Sequence, residues 1–159
     1  MLRIIVDSAS DITKPEAEKL NVEVIPMVVR FGENEFLDGV DLSSQQFFEK
    51  LIESRELPKT SQINSFRFGE IFEKYKGDEI VCITLSKKLS GTYQNACIAA
   101  KELENVYVVD SENVTAGEKI LVQLACRLRD EGKNAKEIAV AREQGDLKEN
   151  AEYKAAREK

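Results

Sequence analysis

The chain has 159 residues, 42% hydrophobic and 33% charged, enough for one domain of ordinary size with a short extension but not for two full domains. Its net charge of −6 argues against sequence-independent nucleic-acid binding, and its complete lack of histidine excludes Ser-His-Asp and Cys-His chemistry and any histidine-ligated metal. No apolar run reaches bilayer length, no charged segment precedes an apolar one at the N-terminus, and neither GxxxxGKS/T nor GxGxxG occurs, so a cytoplasmic protein with no cofactor is expected.

Residues 2–6 are apolar but for Arg3 and end in Asp7-Ser8, the pattern of a buried parallel strand. Thr13-Lys14-Pro15-Glu16 predicts a helix start: Thr13 caps, Glu16 completes a capping box, and Pro15 is tolerated in the first turn. Residues 22–31 are rich in β-branched side chains and predict one strand. Gly32-Glu33-Asn34-Glu35 then turns the chain into a short hairpin arm at Phe36-Leu37. Ser43 and Gln46 form a second capping box, ahead of an apolar stripe of Phe47, Phe48, Leu51 and Ile52. A loop over residues 57–62 leads to Phe68, Ile71, Phe72 and Tyr75, again at helical spacing. Both aromatic stripes are expected in the core. Residues 79–85 and 106–109 predict strands, and residues 90–103 and 117–129 predict helices. The second helix carries Ile120, Leu121, Leu124, Ala125 and Leu128 on one face. Strands alternating with helices imply an α/β fold, with a mostly parallel sheet and helices on both faces. Cys82, Cys97 and Cys126 sit among apolar neighbours without CxxC spacing and are expected to be buried thiols rather than disulfide or metal ligands.

The texture changes after Gly132-Lys133-Asn134. From Ala135 the apolar positions are mostly alanine amid charges of both signs, and Gly145-Asp146-Leu147 interrupts the segment. This divides the chain into an α/β domain over residues 1–134 and a helical hairpin over residues 135–159, whose thin apolar face makes it a poor core-builder.

Three polar clusters fall at strand ends or between helices, where ligands bind in open parallel sheets. They are Asp7-Ser8-Ala9-Ser10-Asp11, Lys59-Thr60-Ser61-Gln62, and residues 86–92, which run through Ser90-Gly91-Thr92 into a helix. The third offers free backbone N–H groups, two hydroxyls and the favourable end of a helix dipole, and holds no general base. It suits holding a carboxylate or phosphate better than attacking a substrate. The plainer reading is that Ser90 or Thr92 merely caps its helix.

Taken together, the clusters resemble the DegV family. Val6-Asp7-Ser8-Ala9-Ser10-Asp11 resembles its opening signature, Lys59-Thr60-Ser61-Gln62 its TSQ loop, and Leu89-Ser90-Gly91-Thr92-Tyr93-Gln94 its LSGTYQ helix start. Val109-Asp110-Ser111 followed by Gly117 resembles a later strand end. The resemblance covers about residues 1–138. It implies a non-enzymatic bacterial protein that holds a fatty acid in a tunnel between two α/β domains and presents its carboxylate to a separate fatty-acid kinase subunit. Thr60, Ser61 and Ser90 would be the head-group ligands, Gly91 and Thr92 would support them, and Asp7 and Ser8 complete the expected ligand-binding set. The family's second domain, which supplies a histidine and an arginine near the head group, has no counterpart here, so impaired binding is expected. Family loops usually continue TSQ with proline, where this chain has Ile63-Asn64.

Residues 141–153 resemble a different protein, the coiled-coil tip of the Gre transcript-cleavage factors, with Asp146 and Glu149 at positions that help hold a catalytic magnesium in RNA polymerase. Helical arms of about ten residues reach only ~15 Å. The expectation is therefore a fusion whose tail has no cleavage activity and no metal, and the alternative is a transcription-elongation-factor fragment acting on RNA polymerase.

Overall fold

The computed structural model describes residues 1–143. Strand β1 (Leu2–Asp7) buries Ile4 and Val6 on one side and Ile5 on the other, as strand periodicity requires of a sheet covered on both faces. Helix α1 (Lys14–Leu20) starts at the Thr13–Glu16 capping box with Pro15 in its first turn, and β2 (Glu23–Ile25) returns parallel to β1.

The expected single strand over residues 22–31 is two strands in two sheets. Pro26 has no N–H to give a ladder, and the Met27 N–H is taken by Ser8 Oγ at 2.9 Å. The chain leaves the parallel sheet there, and β3 (Val28–Phe31) pairs antiparallel with β4 (Asn34–Leu37) and β5 (Lys59–Ser61). The order β4-β3-β5 makes a second, three-stranded sheet, with β5 in the segment expected as loop.

Between β4 and β5 runs α2 (Ser44–Glu53), capped by the Ser43–Gln46 box as predicted. Its aromatic stripe is not core. No residue of α2 is buried, Phe48 is 60% and Ile52 85% exposed, and only Phe47 leans inward, its ring 5.7 Å from Phe31. Of the stripe, only Phe47 reaches the small cluster of Val29, Phe31 and Leu42 that the second sheet builds.

The other stripe behaves as expected. Helix α3 (Ser65–Lys74) buries Phe68 and Phe72, stacked with ring centroids 5.9 Å apart; each contributes about 1.5–3 kcal/mol by leaving water. Strand β6 (Glu79–Thr84), helix α4 (Thr92–Ala100), strand β7 (Val106–Asp110) and helix α5 (Thr115–Asp130) complete a parallel sheet of order β2-β1-β6-β7. The buried face of α5 is rotated from the predicted one. Leu121 and Ala125 are buried, joined by Glu118, Val122 and Cys126, while Ile120, Leu124 and Leu128 are half-buried.

Helix α6 (Ala135–Glu143) corrects the boundary expected after residue 134. Ala135, Ile138 and Ala139 are buried in the same core as Val81, Val109 and Ala125, because alanines let the helix approach the sheet closely. The packed unit therefore continues through α6. Of the cysteines, all free, Cys82 and Cys126 are buried and Cys97 is half-buried. Among the described residues no helix is long and apolar enough to cross a membrane. The expected hairpin break at residues 145–147, and Asp146 and Glu149, lie outside the described residues.

Candidate functional site

The carboxyl ends of β1, β6 and β7 are tied together by their own polar groups. Asp7, 1% exposed, accepts from the Ala9 N–H at 3.0 Å and from the Leu85 N–H at 2.7 Å, joining the loops that follow β1 and β6. Asp110 Oδ1 accepts from the N–H groups of Lys87 (3.3 Å) and Glu112 (2.9 Å), and the Ser86 N–H donates to the Asn113 carbonyl. Beneath them, fully buried, lies Glu118 of α5. Burial first, and the adjacent Asp7 carboxylate second, push the Glu118 carboxyl up to about 10, so it stands neutral beside Asp7. Burial also raises Asp7, against the backbone N–H groups that favour its charged form.

On this platform the second and third clusters meet. Ile63, fully buried, donates its N–H to Thr92 Oγ1 at 3.3 Å and accepts at its carbonyl from Asn95 Nδ2 at 2.9 Å, fastening the end of β5 to α4. Ser90 Oγ lies 2.9 Å from Thr92 Oγ1 and accepts from the Thr92 N–H at 3.2 Å. The residue capping α4 is Gly91, with no side-chain cap bond, so neither hydroxyl serves as its N-cap. Thr60 and Ser61 are exposed on β5, Ser90 and Gly91 are half-buried, and Thr92 is fully buried, committed to Ser90 and Ile63. Exposed hydroxyls beside a helix N-terminus can donate to an anion without transferring a group to it.

A cleft of about 1090 Å³ adjoins this edge. Ile12, Val24, Val29, Phe47 and Phe48 supply apolar wall, while Ser8 and Thr60 and charged residues among them Lys14, Glu18 and Asp38 supply polar wall. It lies between α1 and β2 on one side and the small sheet with α2 on the other, the gap opened when the chain changes sheets at Pro26.

Of the predicted residues, Ser90, Gly91 and Thr92 therefore stand together at the start of α4, and Thr60 and Ser61 are carried toward them by β5. Asp7 is tied to the loop that leads to Ser90, and Ser8 lines the same cleft as Thr60. Asp7 is buried with both oxygens engaged, and Ser8 Oγ holds the Met27 N–H, so in this arrangement both act on loop shape. Sequence reasoning missed Glu118, the Gln62 side chain lying against Gly91, and the cleft. A signal existed for Glu118, which lies three and four residues before the buried Leu121 and Val122 on one helical face. Among the described residues no group of three or more acidic or cysteine side chains could hold a metal ion.

Comparison with known proteins agrees with this architecture. The profile of the family described as "Uncharacterised protein, DegV family" matches residues 1–151. A DegV domain-containing protein of Clostridium acetobutylicum is 43% identical over 141 residues, 86% of this chain and 50% of that protein. A stearic-acid-binding protein from Eubacterium ventriosum superposes with a TM-score of 0.80 at 28% identity, covering 87% of this chain and 50% of the other. A DegV family protein from Thermus thermophilus, described by its fatty-acid binding, gives 0.80 at 28% identity over 90% and 52%. The chain spans about half the length of the curated relatives it matches. The family match continues to residue 151, across much of the stretch read as a transcript-cleavage tip, so a separate origin for residues 135–159 is not supported.

Proposed function

The chain belongs to the DegV family, and on that premise we propose that it binds a long-chain fatty acid, with the carboxylate held by the hydroxyls of Thr60, Ser61 and Ser90 at the start of α4. Gly91 and Thr92 support that site, the first by allowing close approach and the second by orienting Ser90. The observation that carries the reading is the junction of two hydroxyl loops beside a largely apolar cleft of about 1090 Å³ that shares Thr60 with them. A carboxylate needs donors and a favourable potential, and an acyl chain needs apolar wall. Both lie within one edge of the molecule. Fatty-acid binding by the solved relatives at 28% identity supports the same reading.

The family resemblance extends the proposal to delivery: the bound carboxylate is presented to a separate kinase subunit, and this chain transfers no phosphate itself. Asp7 and Ser8 serve the site by fixing the loops that frame it. Native mass spectrometry of the chain purified from bacterial cells, followed by calorimetric titration with oleate and palmitate, tests the reading. Bound acyl chains and saturable binding are expected. A ligand-free protein that ignores both acids would refute it.

A further inference from the structure

Arg142 lies near the end of α6, yet its side chain is only 12% exposed. An arginine at a helix end reaches water at little cost, and this one is turned in toward the loop that follows β7. Its Nη2 donates to the Ser111 carbonyl at 3.3 Å and pairs with Glu112 Oε2 at 2.8 Å. Its Nε is buried and, like Asp110 Oδ2 at the start of the same loop, has no hydrogen-bond partner among the described residues. Burying such groups unpaired costs free energy. The loop they hold is itself strained. Glu112 and Thr115 take left-handed backbones, φ 52° and 53°, and for a β-branched threonine that conformation is rare.

This loop faces the one that carries Ser90. Asn113 is fixed to Ser111 twice, its N–H donating to Ser111 Oγ at 3.1 Å and its Nδ2 to the Ser111 carbonyl at 2.9 Å. The Asn113 carbonyl in turn accepts from the Ser86 N–H at 2.9 Å, and Asp110 Oδ1 takes the N–H groups of both Lys87 and Glu112. From Ser86 the chain folds back in a turn, the Leu89 N–H donating to the Ser86 carbonyl at 2.9 Å, and delivers Ser90. Hydrogen bonds therefore run without a gap from Arg142 through Ser111, Asn113 and Ser86 to the residue before Ser90.

We infer that Arg142 is a positioning residue for ligand binding: by clamping Ser111 and Glu112 it holds the loop after β7 in the shape that places the Ser86–Leu89 turn, and with it Ser90. It touches no ligand. The inference rests on the fatty-acid reading, and it makes α6 part of the binding apparatus as well as a cover for the core.

The experiment is calorimetric titration of the full chain with oleate, with amide exchange read alongside. Arg142→Met keeps the unbranched stem, which borders a cavity of about 20 Å³ together with Val109 and Ile138, and removes the donors. Oleate affinity should fall about threefold or more, and exchange at the Ser86 and Lys87 N–H groups should quicken. In a Ser90→Ala background the same change should alter affinity by less than about twofold, since the side chain it positions is already gone. Glu112→Gln, which weakens the clamp from its exposed end, should act in the same direction, and it replaces Arg142→Met if that variant does not fold. Phe72→Leu, a core change in α3 outside the clamp, should lower the thermal midpoint yet leave oleate affinity within about twofold. Unchanged affinity on breaking the clamp overturns the inference. So does an equal loss in Phe72→Leu, or a full further loss in the Ser90→Ala background. Absence of oleate binding by the wild type overturns the fatty-acid reading and this inference with it, and is told apart because the unmutated chain already fails.

Discussion

Replacing Glu118 by glutamine probes the buried acid on which the loop platform rests. Glu118 is fully buried against Asp7, whose oxygens already accept from the Ala9 and Leu85 N–H groups. Its carboxyl is raised from 4.5 to about 10, by burial above all and then by the Asp7 charge. The folded chain therefore keeps a proton that the unfolded chain releases above pH 4.5. The stability this group contributes is full below that pH and declines as pH rises toward 10, by about 1.4 kcal/mol per unit. From pH 5 to pH 8 the decline is about 4 kcal/mol, a large fraction of the 5–15 kcal/mol typical of a domain. Asp7 is shifted in the same direction by burial and steepens the acid side of the curve. Glutamine reproduces the shape of the protonated acid and stays neutral at every pH. Glu118→Gln should thus match the wild type near pH 5 and exceed it by several kcal/mol at pH 8. Urea unfolding at intervals from pH 5 to pH 9 measures this directly. Two curves that run parallel across that range, or a less stable variant at pH 8, would refute a neutral Glu118.

Ser90→Ala removes the acceptor of the Thr92 N–H and the partner of Thr92 Oγ1, so a stability loss of about 1–2 kcal/mol by urea midpoint is expected. The same change should weaken oleate binding about tenfold, since a hydrogen bond to a charged group contributes about 1.5–3 kcal/mol; unchanged oleate affinity would place the carboxylate elsewhere. Ile138→Ala should cost about 2–5 kcal/mol because Ile138 is 4% exposed in the main core, and deletion of residues 135–159 should lower the thermal midpoint by more than about 4–8 °C. A midpoint unmoved by that deletion would show that α6 does not pack. Thr92→Val keeps shape but leaves the buried Ile63 N–H without its acceptor, at an expected cost of about 1–3 kcal/mol read from amide exchange at Ile63.

Much was legible in local pattern. The two capping boxes, Thr13–Glu16 and Ser43–Gln46, start helices where predicted, because a cap is a contact between residues three apart and owes little to the rest of the molecule. Residues 2–6 read as a buried strand because a run apolar on both pleats has no other stable place. The Ser90-Gly91-Thr92 turn into α4 was visible for the same local reason. What sequence alone could not decide depends on partners distant in the chain. Residues 22–31 read as one β run interrupted only by Pro26, and the Ser8 hydroxyl, taking the Met27 N–H across 19 residues, helps fix where one sheet ends and the next begins. Phe48 and Phe68 look alike in a helical stripe, yet the first has only the Phe47 ring against it and stays 60% exposed while the second is closed in by β6 and α4. The alanines of α6 read as a thin surface face, and the tertiary structure turned them into core by bringing the helix close to β6 and β7. The Gln62 side chain lies against Gly91 from 29 residues away, a contact no local pattern contains. Hydrogen bonds and periodicity within a few residues were written in the sequence; burial, sheet membership and the joining of the two hydroxyl loops were decided by packing between segments whose separation sequence pattern does not encode.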